Sequence, residues 1–400
     1  MKQSTNRILS THVGSLVRTP EIIADMLAAE RGETPDDKTI DQHLRDGVAE
    51  VVRRQAEVGI DVISDGEYGK RGWTQYVADR LEGLEFQELR PDEGPQAQGS
   101  DRQRFADFYA TYNRLEQTIW MPPEGQTPAR QGRFGWACTG PVRYKGQYAV
   151  QRDIKNFKAA LVGVDVEEAF MPVVAPCSVE TSRPNRYYPT GEEFLFAVAD
   201  ALREEYRAIV DAGFLLQVDD AWLPMQYSMM APGSTLEDYR RWAQVRVDAL
   251  NAALEGIPED RVRYHICWGS QNVPHTQDVP LRDIVELVLS VRARAYCIEA
   301  ANPRHEHEWQ VWEDVRLPHG KVLVPGVVTH STNIVEHPEL VAWRLENFAR
   351  LVGRENVMAG TDCGFSQNWN LIRVHSSVQW AKLEALAQGS RIASERLWKR

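Results

Sequence analysis

The stretch EEFLFAVADALREEYRAIVDAGFLLQVD, residues 192–219, decides the fold. Its first part has apolar residues at helical spacing with charges on the other side, and it ends at Gly213, which suits a helix C-cap. The short apolar run Leu215–Asp219 follows at once and predicts a buried strand. A helix that leads within a few residues into a buried strand is the repeating unit of parallel α/β sheets.

The same alternation recurs along the chain. Helix-period segments such as DQHLRDGVAEVVRRQAEVG, TLEDYRRWAQVRVDALNAALEG and PELVAWRLENFARLVG each end at a glycine. We predict nine strand-like runs, which are Ile8–Val13, Val62–Asp65, Phe134–Thr139, Phe170–Ala175, Leu215–Asp219, Arg263–Cys267, Ala295–Ala300, Val322–Val328 and Val357–Thr361.

An eight-stranded (β/α) barrel needs about 250 residues, so a chain of 400 residues leaves room for insertions. The segment between Tyr68 and Arg133 is long, and its stretch RPDEGPQAQGSDRQR is polar and contains Gly and Pro. We therefore predict an α/β fold, the (β/α)8 TIM barrel. A doubly wound open sheet is the rival, but it would normally carry a Gly-rich turn after its first strand. The sequence contains no G-x-G-x-x-G or Walker-type run.

The composition, with 43% hydrophobic and 26% charged residues, is that of a globular protein with a sizeable core. The net charge of −11 is scattered along the chain and disfavours binding to nucleic acid or to anionic membranes. The sequence has no apolar run near the ~18 residues of a membrane span and no signal-peptide pattern at its start, so we expect a cytoplasmic protein. Five widely spaced cysteines indicate reduced thiols rather than a disulfide framework.

Polar side chains occupy the ends of the predicted strands. In a parallel barrel, active-site groups gather where the strands lead into the following loops. Burying acids, thiols or imidazoles there has a cost that partners or a metal must offset. The strand-end residues are His12, Gly14, Ser15, Asp65, Glu67, Thr139, Asp219, Asp220, His265, Cys267, Cys297, Glu299, His330, Asp362 and Cys363.

The segment YHICWG, residues 264–269, is the most informative of these strand ends. Alternate residues of a strand face the same side, so His265 and Cys267 are arranged as a ligand pair. Zinc prefers imidazole and thiolate ligands, and Glu299 and Cys363 at later strand ends can complete a set of four. The alternative is a packing role, because free cysteines are often inert core residues and H-x-C alone is a weak pattern.

Packing explains other residues better. We expect Cys138 and Cys177 to be core thiols and Cys297 to fill the barrel interior. The HEHEW segment that starts at His305 contains possible ligands, but on a helix of an acidic protein it is typical of a solvated face. We expect four tryptophans to pack in the core or at the mouth of the barrel, namely Trp73, Trp268, Trp309 and Trp369.

The motifs THVGSL, SDGEYGKRGW, TGPV, QVDD, HICWG, IEAAN, GVVTHS and TDCGF follow one another over nearly the whole chain. In this order they resemble the C-terminal catalytic barrel of cobalamin-independent methionine synthase. In that family a His, a Cys, a Glu and a second Cys ligate a zinc ion that binds and activates a substrate thiol. The resemblance implies the ligands His265, Cys267, Glu299 and Cys363 in this chain.

The resemblance also implies the substrate contacts. Homocysteine would lie at Gly14 and Ser15, at Glu67 and at Asp219, and two carboxylates do suit an ammonium group. The histidine of the family's G-V-x-x-H-S segment, which serves in proton transfer, corresponds to His330. An imidazole at a strand end suits general acid work near neutral pH, and a packed histidine is the alternative.

For the organisation of the chain, the resemblance implies a single barrel domain over residues 1–400 with insertions around 69–132 and 166–190. It places Phe170–Ala175 inside the second insertion as the surplus ninth run.

The chain departs from this family where the methyl donor would bind. The full-length family enzyme has two fused barrels, and 400 residues have room for one. The segment RYKGQYAVQRD after TGPV lacks the tryptophan that contacts folate in the family, and QVDD replaces D-E-P. The resemblance therefore supports the activation of a thiol more strongly than it supports the identity of the methyl donor.

We predict a zinc-dependent thiol S-methyltransferase that acts on homocysteine or a similar thiol, with the methyl or alkyl donor left open. Three alternatives are kept. The first is zinc-dependent alkyl transfer to a thiol, as in epoxyalkane:coenzyme M transferases, although the ammonium-binding carboxylates favour an amino-acid thiol. The others are a metal-free lyase resembling uroporphyrinogen decarboxylase and a non-catalytic zinc-binding protein. The sequence leaves the oligomeric state open, a homo-oligomer included.

Overall fold

The structure is a computed structural model and describes residues 1–33, 36–90, 93, 100–115, 134–231, 233–370 and 372–399. The strands in these ranges are β1 Val62–Ser64, β2 Leu81–Glu88, β3 Phe134–Tyr144, β4 Glu168–Val174, β5 Leu215–Asp219, β6 Val262–Ile266, β7 Ala295–Glu299, β8 Val322–Val328 and β9 Gly360–Thr361. The α-helices are α1 Pro20–Glu30, α2 Asp37–Glu57, α3 Val77–Arg80, α4 Ser100–Arg104, α5 Ala106–Leu115, α6 Gln147–Ala160, α7 Pro176–Glu180, α8 Gly191–Asp211, α9 Trp222–Met229, α10 Leu236–Ala253, α11 Leu281–Leu289, α12 Val311–Asp314, α13 Pro338–Val352 and α14 Ser376–Trp398.

A ring of parallel chain segments forms the centre of the molecule. Seven strands pair in the order β1-β4-β5-β6-β7-β8-β9, and every pairing is parallel. The segment that contains Ser10 and Thr11 joins the two edges of this sheet, because Ser10 bridges to Ala359 next to β9 and Thr11 bridges to Val62 of β1. This eighth segment closes the ring and confirms the predicted TIM-barrel class.

β4 belongs to this ring, so the prediction that Phe170–Ala175 is a surplus run inside an insertion is wrong. Val62 of β1 pairs with Glu168, and Phe170 pairs with Leu215 of β5. From Phe170 to Val174 every residue of β4 is buried, which is the pattern of a parallel strand covered on both faces.

The surplus run lies instead in Phe134–Thr139. It is part of β3, which pairs antiparallel with β2 in a separate two-stranded sheet. The half-exposed pattern of β3 is typical of such a hairpin. The single-domain organisation with an insertion around 69–132 stays a prediction, and much of that segment lies outside the described residues.

Local sequence signals set the helix that precedes β5. The side chain of Thr190 accepts a hydrogen bond from the backbone of Glu193 and caps the start of α8. Gly213 then turns the chain into β5 with a φ of +97°, a conformation that glycine adopts without strain. No helix within the described ranges combines the length and apolar character needed to cross a membrane.

The core has two layers. One lies inside the ring and consists of Leu9, Val62, Phe170, Leu215, Ala295, Cys297, Val322, Val324 and Met358. The larger one lies between the strands and the surrounding helices and contains Cys138 and Cys177. The predictions for Cys138, Cys177 and Cys297 are therefore confirmed, and a guanidinium nitrogen of Arg263 lies 3.7 Å from the sulfur of Cys297.

Candidate metal and substrate site

The carboxyl ends of the barrel strands surround a cavity of ≈ 420 Å³. Six of the residues predicted for the site line it, namely Ser15, Glu67, Asp219, His265, Cys267 and Cys363. They come from loops and strand ends far apart in sequence and meet because all parallel strands of a barrel end on the same face. The structure therefore places these residues where the chemistry of a TIM barrel is expected.

His265, Cys267 and Cys363 form a compact metal-ligand group. One ring nitrogen of His265 and the two sulfurs all lie within 4.8 Å of one another. His265 belongs to β6, Cys267 follows the end of the same strand, and Cys363 follows β9. All three side chains are buried. The alternation in YHICWG thus does put His265 and Cys267 beside each other.

The two thiols of this group are coupled. Their mutual hydrogen bond, together with burial, raises the pKa of Cys267 well above its usual value. The same hydrogen bond, helped by the nearby imidazoles of His330 and His265, lowers the pKa of Cys363 despite its burial. One thiolate is therefore favoured in the free protein, and a divalent cation would favour the loss of the second proton as well.

The donors in the metal-ligand group fit a zinc ion. Neither ring nitrogen of His265 has a nitrogen or oxygen partner among the described residues, although the side chain is buried. A buried imidazole without such a partner is costly, and a metal ion would satisfy it. One imidazole and two thiolates are ligands that zinc prefers in proteins.

Glu299, the fourth predicted ligand, is not a member of the three-residue group. It is buried at the end of β7, and its Oε2 accepts a hydrogen bond from the backbone N–H of Trp268 at 3.1 Å. Burial and the nearby charges of Asp362 and Cys363 raise the pKa of Glu299 well above its usual value. Since Trp268 directly follows Cys267, the carboxyl group lies beside the ligands, and its role as a ligand stays a prediction.

Glu67 and Asp219 place two carboxyl groups in the wall of the same cavity. Gln217 donates a hydrogen bond to Oδ1 of Asp219 at 2.9 Å and so fixes its orientation. Burial raises the pKa of both carboxyls, the charge of Glu67 also raises the pKa of Asp219, and the charge of Lys70 partly offsets the shift of both. A cationic ligand between them would relieve this repulsion.

The backbone around Glu67 is strained and closely packed. Glu67 has a φ of +60°, which is uncommon for a residue with a side chain and is often found at functional sites. Gly14 has a φ of +132°, and a Cβ there would lie 2.4 Å from a side-chain carbon of Pro172 and 3.2 Å from a carboxyl oxygen of Glu67. Only glycine lets the chain approach Glu67 this closely, so Gly14 shapes the site from behind the cavity wall.

His330 is buried beside the metal-ligand group, and it is not among the described residues that line the cavity. Neither of its ring nitrogens has a nitrogen or oxygen partner among the described residues. Burial lowers the pKa of His330 to about 4, partly offset by the charge of Cys363. The imidazole is therefore neutral near pH 7, so it can accept a proton there and can donate one only after it has accepted it.

Sequence reasoning missed most of the apolar wall. Trp73 lines the cavity, in line with a tryptophan at the mouth of the barrel, but Trp136, Trp222 and Met225 line it as well. Trp136 belongs to β3, and no sequence signal shows that this hairpin folds over the barrel. Gln217 was missed too, although its position two residues before Asp219 places both on one face of β5.

The expectation that the HEHEW segment forms a solvated face is wrong for His305, which is 4% exposed, whereas His307 is exposed. His305 hydrogen-bonds to Asp278 and Glu308, and its ring stacks on Trp268. The physical reason is that Asp278, from the loop after β6, supplies a partner that local periodicity does not show.

Fold and site together define a TIM barrel with a His/Cys/Cys group that could hold a metal ion and two carboxyl groups at its carboxyl-terminal face. The family model for the catalytic domain of cobalamin-independent synthase matches residues 8–100. A methionine synthase of Sulfolobus acidocaldarius is 21% identical over 394 residues, 98% of this chain and 94% of that protein. A 2-hydroxypropyl-CoM lyase of Xanthobacter autotrophicus is 23% identical over 393 residues, 92% of this chain and 89% of that protein.

A solved structure shares the fold of this chain. The B12-independent methionine synthase of a Shewanella species, in complex with selenomethionine, superposes with a TM-score of 0.70 at 16% identity, covering 98% of this chain and 100% of that one. The chain is thus similar over nearly its whole length to cobalamin-independent methionine synthases and to a 2-hydroxypropyl-CoM lyase.

Proposed function

We propose that this chain is a zinc-dependent S-methyltransferase that transfers a methyl group to the thiol of homocysteine or a similar amino-acid thiol. The observation that carries the proposal is the metal-ligand group, with its donor atoms within 4.8 Å of one another, beside a cavity that Glu67 and Asp219 also line. In one cavity, a metal would activate the thiol end of an amino-acid thiol and the two carboxyl groups would bind its ammonium end.

In this proposal, His265, Cys267 and Cys363 would hold zinc, with Glu299 as the fourth ligand. Bound zinc lowers the pKa of a coordinated thiol, so the sulfur is deprotonated and nucleophilic near neutral pH. The same donors would hold cobalt, which makes the site accessible to spectroscopy.

The carboxyl pair binds and orients the substrate. Glu67 and Asp219 are buried, and burial raises the pKa of both carboxyl groups, so a further cation beside them would favour their charged forms. A substrate ammonium supplies that cation and pairs with both groups. Ser15 lines the same cavity and offers its hydroxyl to the substrate carboxylate.

His330 handles the proton. The thiol must lose a proton before its sulfur attacks the methyl carbon, and the neutral imidazole, whose nitrogens have no hydrogen-bond partner among the described residues, can accept it at the nitrogen that carries no proton. As the new sulfur–carbon bond forms, the bond from the methyl carbon to the leaving atom breaks. The same imidazolium can then return its proton to the leaving atom, so His330 serves first as a base and then as the predicted acid.

A second candidate is alkyl transfer to a thiol such as coenzyme M. The Xanthobacter relative, 23% identical over most of both chains, favours it. Against it stand Glu67 and Asp219, because two buried carboxyl groups suit an ammonium, which coenzyme M lacks. The carboxyl pair is therefore the feature that separates the two candidates.

The test offers the purified protein three thiols: homocysteine, its analogue without the amine, and coenzyme M. Each is combined with a panel of methyl donors that includes folates with short and long glutamate tails, before and after metal removal. We expect methylation of homocysteine that stops when the metal is removed and returns with zinc. Methylation that survives metal removal would contradict the zinc dependence, and a preference for coenzyme M would support the second candidate.

A further inference from the structure

Four side chains near the metal-ligand group form an imidazole–carboxylate network, in which His305 and Glu308 are buried and His275 and Asp278 are partly buried. Nδ1 of His275 lies 3.0 Å from Oδ2 of Asp278, and Nε2 of His305 lies 3.0 Å from the same oxygen. Nδ1 of His305 lies 2.8 Å from Oε2 of Glu308. The network connects the loop after β6 with the loop after β7, and none of its members lines the cavity among the described residues.

Trp268 links this network to the metal-ligand group. Its ring stacks on the imidazole of His305 with a centroid distance of 4.0 Å and an angle of 22°. Its Nε1 donates to the carbonyl of Val279 at 2.8 Å, and its backbone N–H donates to Oε2 of Glu299 at 3.1 Å. Trp268 also follows Cys267 directly in the chain. A shift of this one side chain would therefore move a ligand and the neighbouring carboxyl group together.

Hydrogen bonds to two carboxylates hold the ring of His305 in place, in addition to its packing against neighbours. Both ring nitrogens lie within hydrogen-bond distance of a carboxylate, so the ring has one orientation. Burial alone would lower the pKa of His305, but the hydrogen bonds to Asp278 and Glu308 outweigh it and raise the pKa. An imidazole with a carboxylate at each ring nitrogen is a rigid support for the stacked indole.

The network is not a second metal site. Every ring nitrogen of His275 and His305 already has an oxygen partner, which is Asp278, Glu308 or the carbonyl of Gln271. Binding of a cation would have to break these contacts. The geometry is that of a support, in contrast to His265, whose nitrogens have no such partner among the described residues.

We infer that His305 is a positioning residue for the metal-ligand group, acting through Trp268 on Cys267 and Glu299. The inference rests on the proposed function, because a residue can position metal ligands only if the site binds a metal. Side chains that orient metal ligands from behind change metal affinity about 10- to 100-fold when they are replaced.

The experiment titrates the metal-free protein with cobalt(II) alone and follows the thiolate-to-cobalt absorption bands. His305→Phe keeps an aromatic ring beside Trp268 and removes both hydrogen bonds. We expect cobalt affinity to fall about 10- to 100-fold. His307→Phe is the matched control, since it makes the same change two residues away at an exposed position, and we expect it to bind cobalt like the unaltered protein.

A double-mutant cycle tests the route through Trp268. Trp268→Phe removes the hydrogen bond to Val279 and weakens the stack, so on its own it should also lower cobalt affinity. If His305 acts through Trp268, the double variant loses much less than the product of the two single losses, since contacting residues couple. Thermal unfolding of each metal-free variant is measured in parallel, because a purely structural role would lower that stability and leave cobalt affinity unchanged.

The outcomes separate the inference from the proposed function. Unchanged cobalt affinity in His305→Phe, or independent losses in the double variant, would overturn the inference while the site itself stands. If His305→Phe does not fold, Asp278→Asn takes its place in the cycle, with the same expected loss of affinity and the same overturning results. An unaltered protein that binds no cobalt through thiolates contradicts the proposed function and the inference with it.

Discussion

Replacing Asp219 with Asn tests the assignment of the ammonium site in isolation. The substitution keeps the shape of the side chain and keeps an oxygen that can accept the hydrogen bond of Gln217, which lies 2.9 Å from Oδ1. It removes the negative charge that this side chain would carry beside a bound ammonium. Because burial and the charge of Glu67 already raise the pKa of Asp219, losing that charge should not destabilise the fold.

The size of the effect follows from the contact that is lost. A hydrogen bond to a charged partner contributes about 1.5–3 kcal/mol. At 1.4 kcal/mol for each factor of ten, this predicts a loss of about 10- to 150-fold in kcat/KM for homocysteine. Glu67 remains in this variant and keeps part of the interaction with the substrate ammonium. A thiol without the amine makes no such contact, so its kcat/KM should change less than about threefold.

The assay measures kcat/KM for homocysteine and for the same thiol without its amine, in the unaltered protein and in Asp219→Asn. Asp200→Asn serves as the control, because it removes one carboxylate from the exposed side of α8. We expect the control to treat both thiols like the unaltered protein. Equal losses for both thiols in Asp219→Asn would refute the ammonium assignment.

Three further predictions concern the metal, the cavity wall and the fold. Cys363→Ser should lose most of its bound metal on dialysis, and a full metal complement measured by elemental analysis would remove this residue from the site. Gly364→Ala places a Cβ 2.1 Å from Oγ of Ser15, so KM for the thiol should rise severalfold, whereas Gly191→Ala, with one contact at 3.5 Å, should leave it unchanged. Burial raises the pKa of Asp220 from 3.8 to about 6, which favours its protonated form in the fold, so this contribution to stability is present at low pH and is lost as the pH rises through about 6. Asp220→Asn does not lose this contribution, so its free energy of unfolding relative to that of the unaltered protein should increase by about 3 kcal/mol between about pH 4 and 7. Denaturant unfolding measures both, and parallel pH profiles of the two proteins would contradict this.

The sequence predicts the barrel and most of its site for identifiable reasons. Alternation along a strand is a local property, so HICWG shows correctly that His265 and Cys267 share a face. Cys363 could be added because strand ends of a parallel barrel meet on one face. The polar residues Glu67 and Asp219 follow apolar runs, which also identifies them as members of the cavity wall.

What could not be predicted depends on tertiary contacts. Periodicity indicates that a run is a strand but not which sheet it joins, so β4 was assigned to an insertion and β3 to the barrel. The burial of His305 depends on Asp278, which is 27 residues away in sequence. The place of Glu299 beside the three-residue group depends on the bond from Trp268, another contact without a local signal.

The most direct measurement of the central claim is X-ray absorption at the metal edge of the zinc-loaded protein, with and without homocysteine. Two sulfur ligands, from Cys267 and Cys363, are expected before the thiol is added. The account predicts a third sulfur ligand once homocysteine binds. A spectrum that does not change on addition of saturating homocysteine, or a protein that retains no zinc, would contradict it.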